Sequence, residues 1–319
     1  MIAGKYIAIA AFAMVPMLSG CGVGGLIGSS AKSETGNFPI EVQEIYLNPE
    51  QPKQRHAGVL EYRAGYELSN RSSEFGGLSG LILSPDGQSI TALTDHGNVL
   101  RARLVLDKSG RLLGLEGSEM FRLRDLDGRK LSRRLDKRDQ DTEAVERLAD
   151  GSYLVTFEIR HRILAYEDLK ARPTEFATPD ELKMAPRNGG LEAMTALPDG
   201  RILVMTEKLR AKKINDTAAK KSDYVGWLLS ADGETLGKIY WPKQGKFRPT
   251  DLAAMPNGDV LMLQRRYSAA GGAGARVSMI HRDQITIGNR MADIELANMA
   301  PPMSVDNFEG LAVHPAEDG

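Results

Sequence analysis

Cysteine is almost missing from this chain: Cys21 is the only one in 319 residues, so no intramolecular disulfide can staple the fold, whatever the redox compartment. An excess of charge of either sign is missing as well. Forty-one basic against forty-two acidic residues leave a formal net charge of −1, which argues against a general affinity for nucleic acid or anionic lipid and makes any charge-based function local. No stretch sustains a 3.6-residue apolar period of useful length, which excludes a helical bundle; residues 180–185 and 211–221 have room for a turn or two of helix. Several catalytic signatures are also absent. The strained G-x-S-x-G elbow does not occur, and Ser79 in GLSG lacks its spacing. The five histidines show neither H-x-H nor H-E-x-x-H spacing, which disfavours zinc. No phosphate-cradling glycine loop is present, and Asp125–Gly128 lacks the glycine and terminal acid of a calcium loop, so it reads as a hairpin turn.

What is present suits a globular chain with a sizeable core, at 42% hydrophobic and 26% charged residues. The first twenty residues read as an address: one early cation, Lys5, an apolar run broken by Pro16, and then Leu18-Ser19-Gly20-Cys21, which resembles the lipobox of bacterial lipoprotein signal peptides. The expected organisation is a signal peptide over 1–20, a small, polar, flexible tether over 21–37 carrying lipid on Cys21, and a folded domain over 38–319. Gly22 after the cysteine resembles the signal for the outer membrane, so the expected location is the bacterial cell envelope, lipid-anchored, facing the periplasm, with the membrane reached through the anchor only.

The folded part repeats. GGLSGLILSPDG (76–87), QDTEAVERLADG (140–151), GGLEAMTALPDG (189–200), RPTDLAAMPNG (248–258) and DNFEGLAVHP (306–315) share one frame, with Ser79, Glu143, Glu192, Asp251 and Glu309 at the marked position. In the first three the marked residue lies eight positions before the turn glycine; the Asp251 copy is one shorter. After the turn come short β-branched runs ending at Asp95, Glu158, Glu207 and Arg265. Asp-Gly or Asn-Gly between two such runs signals a hairpin, which brings the marked residue and the second polar residue to one end. The expected fold is all-β, a β-propeller of five or six blades, each with an acid-bearing inner strand.

Around a propeller axis Glu143, Glu192, Asp251 and Glu309 would converge, with the Ser79 hydroxyl completing the ring, and carboxylates so crowded repel one another strongly. A hard divalent cation answers this, and calcium tolerates an irregular set of oxygens best; Asp95, Glu158 and Glu207 are further candidate ligands. The alternative is structural pairing with Arg138, Arg187 and Arg248, which precede Glu143, Glu192 and Asp251 by five, five and three residues. The same arginines, with Lys208, Arg210, Arg265 and Arg266 after the second strands, would suit a phosphate beside the metal, and Arg265 is a candidate for direct participation in the chemistry. His96 beside Asp95 and His161 near Glu158 are candidate general bases.

GGLSGLILSPDG with TDHG, DTEAVE, GGLEAM, RPTDLA with LQRR, and DNFEGLAV, in this order from Gly76 to Val313, resemble the signature of the bacterial phytase-like family, described as having esterase-like activity of phytase. The resemblance implies a phytase-like propeller, secreted or lipid-anchored, and the better-known propeller phytases release phosphate from phosphomonoesters with calcium. A small phosphate ester or ester is therefore the expected partner, calcium the expected cofactor, and nucleic acid an unexpected one. An ester or lactone hydrolase with His96 or His161 as base, and a non-catalytic periplasmic propeller with structural acids, remain as alternatives. Two departures stand out. The first repeat carries Ser79 in place of an acid. The last stops just after its turn, which suggests either truncation or closure by strands within 40–48 and 58–69.

Overall fold

The computed structural model of the protein describes residues 38–108, 110–131 and 139–315, together with the strand Tyr6–Ala13; Cys21, its expected tether and Arg138 lie outside the described residues. The strands, in chain order, are β1 (Tyr6–Ala13), β2 (Glu41–Ile45), β3 (His56–Ala57), β4 (Leu60–Glu61), β5 (Gly65–Ser69), β6 (Leu78–Leu83), β7 (Ser89–Thr94), β8 (Asn98–Leu106), β9 (Leu112–Arg122), β10 (Thr142–Arg147) and β11 (Tyr153–Phe157). They continue with β12 (Arg162–Tyr166), β13 (Thr174–Glu175), β14 (Leu191–Ala196), β15 (Ile202–Arg210), β16 (Tyr224–Leu229), β17 (Thr235–Trp241), β18 (Arg248–Ala254), β19 (Val260–Ser268), β20 (Gly272–Ile280), β21 (Asp293–Met299) and β22 (Asn307–Pro315). No α-helix occurs among the described residues. The two segments with room for helix hold single 3-10 turns, Asp180–Met184 and Ala211–Lys213.

Each of the first four repeats builds an antiparallel four-stranded sheet in chain order: β6 to β9, β10 to β13, β14 to β17 and β18 to β21. The Asp-Gly and Asn-Gly signals sit in the first turn of each. Gly87, Gly151, Gly200 and Gly258 all take left-handed φ angles, between +67° and +94°, and the turns close through bonds such as Gly200 N to Leu197 O at 2.9 Å. The described residues form a propeller with four complete blades, which corrects the expected five or six. The fifth repeat supplies one inner strand, β22, which lies between β18 and β6 and pairs with β1. Closure does not come from 40–48 and 58–69 either. There β2 pairs with β5 and β3 with β4, and this segment instead packs on both neighbours of the fifth position. Phe38, Ile40, Val42 and Leu68 join the core of the first blade, while Leu47 and Ala57 pack on Ala297 of the fourth.

Side chains stitch the inner strands to one another around the ring. Ser79 Oγ donates to Thr142 O at 2.9 Å, joining β6 to β10. The Glu146 carboxyl accepts from Ala196 N and Thr195, joining β10 to β14. Thr195 Oγ1 accepts from Ala254 N at 3.0 Å, joining β14 to β18, and Asp251 Oδ2 accepts from Leu311 N at 2.6 Å, joining β18 to β22. At the remaining seam β22 meets β6 so closely that a Cβ on Gly310 would lie 2.7 Å from the Leu81 Cβ, which is why glycine stands there.

The apolar core is divided among the interfaces between blades, because each twisted sheet buries both faces against its neighbours. Leu154 and Ile163 meet Leu191, Val204 and Trp227 between the second and third blades. Trp241, stacked on Tyr224 at 5.5 Å, meets Leu252 and Met262 between the third and fourth. Each fully buried aliphatic side chain stabilises by roughly 1.5–3 kcal/mol, and Leu154, Ile163, Leu191 and Val204 are all at 0% exposure.

Burial is the largest influence on the Glu146 carboxyl and pushes its pKa to about 8, against the lowering effect of its bonds to Ala196 and Thr195. The folded protein therefore keeps a proton that the unfolded chain releases near pH 4.5, so this group's stabilisation is complete below that pH and is lost as the pH rises through 8. Glu146→Gln keeps an acceptor and a neutral group at all pH values. Melting temperatures measured at pH 5 and pH 8 should show a fall that is several degrees (~3–6 °C) smaller in the variant; equal falls in both proteins would refute the assignment.

Candidate functional site

A β-bulge near the start of each inner strand places the site. Pairing of β14 with β15 slips between Leu191 and Ala193, leaving Glu192 as the extra residue, and β22 slips against β1 around Glu309. In β6 and β10 the slip covers Ser79 and Glu143. In β18, however, it falls between Pro249 and Asp251, so Thr250 is the extra residue and Asp251 pairs opposite Leu263, as Ala193 does opposite Met205. The one-residue shortening of that repeat therefore turns Asp251 away from the ring. Its oxygens accept from Leu252 N at 2.8 Å and Leu311 N at 2.6 Å, and its nearest acid by charge interaction is Glu146. Asp251, expected as a ligand, is a buried stitch with its pKa well above the usual range through burial.

The residues after the second strands form the other half of the site. Asp95 N bonds to Gly77 O, Glu158 N to Asp141 O and Glu207 N to Gly190 O, at 2.7–2.9 Å, each two residues before the bulge position. In the fourth blade Arg265 pairs with Arg248 across the same hairpin end. The marked residue and the acid after the second strand thus meet at one end of the hairpin in the first three blades, while in the fourth Arg265 arrives there and Thr250, not Asp251, takes the marked place.

Two carboxylate triads result. Asp141, Glu143 and Glu158 have one oxygen each within 4.8 Å of one another, and so do Glu158, Glu192 and Glu207; Glu158 belongs to both. Like charges at 4.8 Å repel by about 3–4 kcal/mol per pair at an effective dielectric constant of 20. Burial, followed by Glu192, Glu158, Glu309 and Asp141, raises the Glu143 pKa well above the carboxylate range. Burial also raises Glu192 strongly, with Arg265 opposing and Glu207 and Glu158 reinforcing. Glu158 is raised by burial and by Asp141, while a bond from Gly190 N at 3.2 Å works against this. The cluster must hold protons or a cation. All its donors are hard carboxylate oxygens, so these buried acids can bind a hard metal ion.

The protein's own cations reach one side of it. Arg265 forms a close ion pair with Glu309, lies 3.7 Å from Glu192 and 3.6 Å from Glu207, and donates to Asn307 at 2.5 Å. Burial disfavours its charge, yet Glu192, Glu309 and Glu207 more than offset this and hold its pKa above the usual range. Glu309 is raised by burial and lowered by Arg265 and Asn307. Arg248 lies 3.2 Å from Glu207, and the Lys208 ammonium sits against Glu207 Oε2 off hydrogen-bonding geometry. Local pairing with the preceding arginines is therefore corrected: Arg248 serves Glu207, not Asp251, and Arg265 serves Glu192, not Arg187.

The remaining candidates are spread around the rim. His96 Nδ1 lies 3.6 Å from Asp95 Oδ1. His161 Nε2 faces Pro186 O at 3.1 Å, while its Nδ1 is buried without a hydrogen-bond partner; burial lowers its pKa and favours the neutral ring. The ring lies over Gly190, where a Cβ would come within 2.1 Å of Nδ1. Arg266 stacks over Phe247 at 5.5 Å. Beside His161, Ile159 has φ +61°, a strain of roughly 1–3 kcal/mol for a β-branched residue. Sequence reasoning passed over Asp141. Its signal was present in QDTEAVE, an acid two positions before Glu143 where the first and third repeats carry Gly77 and Gly190.

A family model described as "Phytase-like: Esterase-like activity of phytase" matches residues 73–319. No curated protein is similar enough in sequence to count as a match. Among solved structures the chain is similar to a nidogen/laminin complex (9% identity, 88% of this chain and 96% of that one, TM-score 0.42). It is also similar to a catalytically inactive virginiamycin B lyase from Staphylococcus aureus with quinupristin (11%, 81% and 88%, 0.40). A third is the β-propeller domain of Myceliophteria thermophila Cps50 (Swd1) (9%, 86% and 87%, 0.39).

Arg265 meets three acids at once, and Glu192 and Glu309 have no other ion-pair partner among the described residues, so Arg265→Gln leaves those two uncompensated and should cost about 3–5 kcal/mol in chemical denaturation. Arg266→Gln, whose cation only stacks on Phe247 at the surface, should cost under ~1 kcal/mol. Similar losses in both variants would show that Arg265 is not the counter-ion of the cluster.

Proposed function

We propose that this chain, which belongs to the phytase-like family, hydrolyses phosphate esters with calcium held by Asp141, Glu143, Glu158, Glu192 and Glu207. Family and propeller fold together point to a hydrolase-like function; calcium and the phosphate ester are our reading. One observation carries it: two buried carboxylate triads share Glu158 and have more negative charge than Arg265, Arg248 and Lys208 neutralise. Oxygens up to 4.8 Å apart suit a common ion at about 2.4 Å, the ordinary calcium–oxygen distance. Calcium bound there supplies the charge that polarises a phosphoryl oxygen and acidifies a water.

The chain's own residues orient the reactants. Gly190 N fixes Glu158, and His161 packs against the same Gly190, where burial favours its neutral form. Lys208 and Arg248 present positive charge at the rim, where an incoming phosphate would meet it. Arg265 keeps Glu192, Glu207 and Glu309 in place. The same Arg265 network is the observation that favours a second reading, a non-catalytic propeller with structural acids.

Calorimetric titration of calcium into the chelator-stripped protein separates the two. The expected result is micromolar or tighter binding that weakens at least 100-fold in Glu158→Gln and less in Glu143→Gln, together with calcium-dependent phosphate release. No heat from a folded wild-type protein would mean that the acids are structural.

We further propose that the protein works lipid-anchored through Cys21 at the bacterial cell envelope, on the periplasmic face of the outer membrane. Metabolic labelling with a clickable fatty acid in a bacterial host should mark the wild type and not Cys21→Ala. Equal labelling, or none in either, would remove the anchor from this account.

A further inference from the structure

We propose that the lysine-rich face of the third blade, at the end of the propeller that carries the triads, is a docking surface for the headgroup layer of an anionic phospholipid membrane. This rests on the anchored reading above for its setting, though not for its existence.

Two connections make the patch. The one between β15 and β16 carries Lys212, Lys213, Lys220 and Lys221, and the one between β17 and β18 carries Lys243 and Lys246. Short bonds hold them in one piece. Lys212 N donates to Lys221 O at 3.3 Å and Ala211 N to Asp223 O at 3.0 Å, so the two arms of the first connection lie side by side. Arg210 donates to Ser222 O at 2.9 Å and stacks over Tyr224 at 3.2 Å. The Tyr224 hydroxyl in turn donates to Phe247 O at 2.9 Å, which fastens the second connection to the first.

All six lysines are exposed, and none forms an ion pair among the described residues. The acids of the same segments are already answered. Asp216 lies 2.8 Å from Lys238 Nζ and accepts from the Tyr240 hydroxyl at 2.6 Å, and the buried Asp223 lies 2.6 Å from Arg290 Nε. No other Asp or Glu stands in 211–223 or 242–247. The near-zero net charge argues against a general affinity for anionic lipid, and a patch whose acids are paired elsewhere is the local exception. A lysine ammonium is a compact, hydrated point charge on a flexible stem, which suits a diffuse charged plane better than one enclosed group. Each lysine brought near such a plane strengthens binding by about five-fold.

The expected anchor enters at the same end. The fold starts at Phe38, whose N–H donates to Ser118 O at 3.1 Å and whose ring lies 6.0 Å from Phe75, just before the bulged end of β6. The chain from Cys21 to Phe38 covers at most about 60 Å. Lipid on Cys21 thus fixes the distance to the bilayer, and the patch fixes the orientation, with the triads toward the headgroups.

Vesicle binding by the full chain carrying Cys21→Ala, which has no thiol to acylate, tests the patch apart from the anchor. Phosphatidylcholine vesicles with about 30% phosphatidylglycerol should bind it at least ten-fold more tightly than phosphatidylcholine alone at about 0.1 M salt. The ratio between the two lipids cancels any contribution of the apolar run within 1–20. Lys212→Gln/Lys213→Gln/Lys220→Gln/Lys221→Gln should bring that ratio close to one, and Lys243→Gln/Lys246→Gln should lower it several-fold. Arg103→Gln/Lys108→Gln/Arg111→Gln/Arg282→Gln removes the same charge from exposed positions toward the opposite ends of the first and fourth blades and should leave the ratio near the wild-type value. Equal binding of the wild type to both vesicles, or equal losses in the patch and control variants, overturns the surface even if Cys21 is acylated. Release of bound protein by soluble glycerophosphoglycerol at an equal headgroup concentration would make the patch a site for a free phosphodiester and overturn it as a membrane surface. If Cys21 takes no label, the anchor fails and the vesicle ratio still decides the patch.

Discussion

Arg265 is the interaction on which the head of this propeller depends, because it answers acids delivered by two inner strands and a second strand at once. Glu192 comes from β14, Glu207 from β15 and Glu309 from β22. Without a buried cation, each of these carboxylates would face others across a few ångströms of poorly screening protein. Its position in the frame belongs to an acid in the other blades, Asp95, Glu158 or Glu207. One blade thus contributes a counter-ion where the others contribute acids. The compensation is one-sided, and the excess negative charge collects around Asp141, Glu143 and Glu158, where a metal has reason to bind.

Beneath that charged layer the ring is held by neutral and protonated groups. Ser79, Thr195, Glu146 and Asp251 each bridge adjacent inner strands through backbone N–H or C=O groups that the blades' own ladders leave unused. Buried carboxyls in two successive layers do different work. The upper ones meet cations or one another, and the lower ones accept hydrogen bonds from amides. Burial raises the pKa in both layers, so the direction of the shift alone does not distinguish a ligand from a stitch; the partners do.

Much of this was legible in the sequence. The repeat of a marked polar residue, an Asp/Asn-Gly turn and a β-branched run identified the hairpins, their common end and the all-β propeller, because turn chemistry and period-two strands are local signals. What was not legible depended on register and on distance. Asp251 aligns with Glu192 by eye, but a bulge one residue earlier sends it to the opposite face. The counter-ion was sought among arginines near in sequence, whereas Arg265 reaches Glu192 across a blade boundary. Blade number failed for a related reason. The sequence has five repeats, but among the described residues four carry all their strands, and the segment 38–69 covers the flanks of the fifth position by packing on the first and fourth blades rather than by pairing with β22.

The seam between β22 and β6 sets an order of assembly. Within each blade strands pair with their immediate neighbours in the chain, so the four sheets can form from nearby contacts. The seam is different: His314 Nε2 meets Pro85 O at 3.3 Å across a separation of 229 residues. Glu309 arrives on that same strand. A polypeptide still emerging from the ribosome can therefore build blades, and with them the strands that bring Asp141, Glu143, Glu158, Glu192 and Glu207 together, but Glu309 reaches Arg265 only when β22 docks and the ring closes.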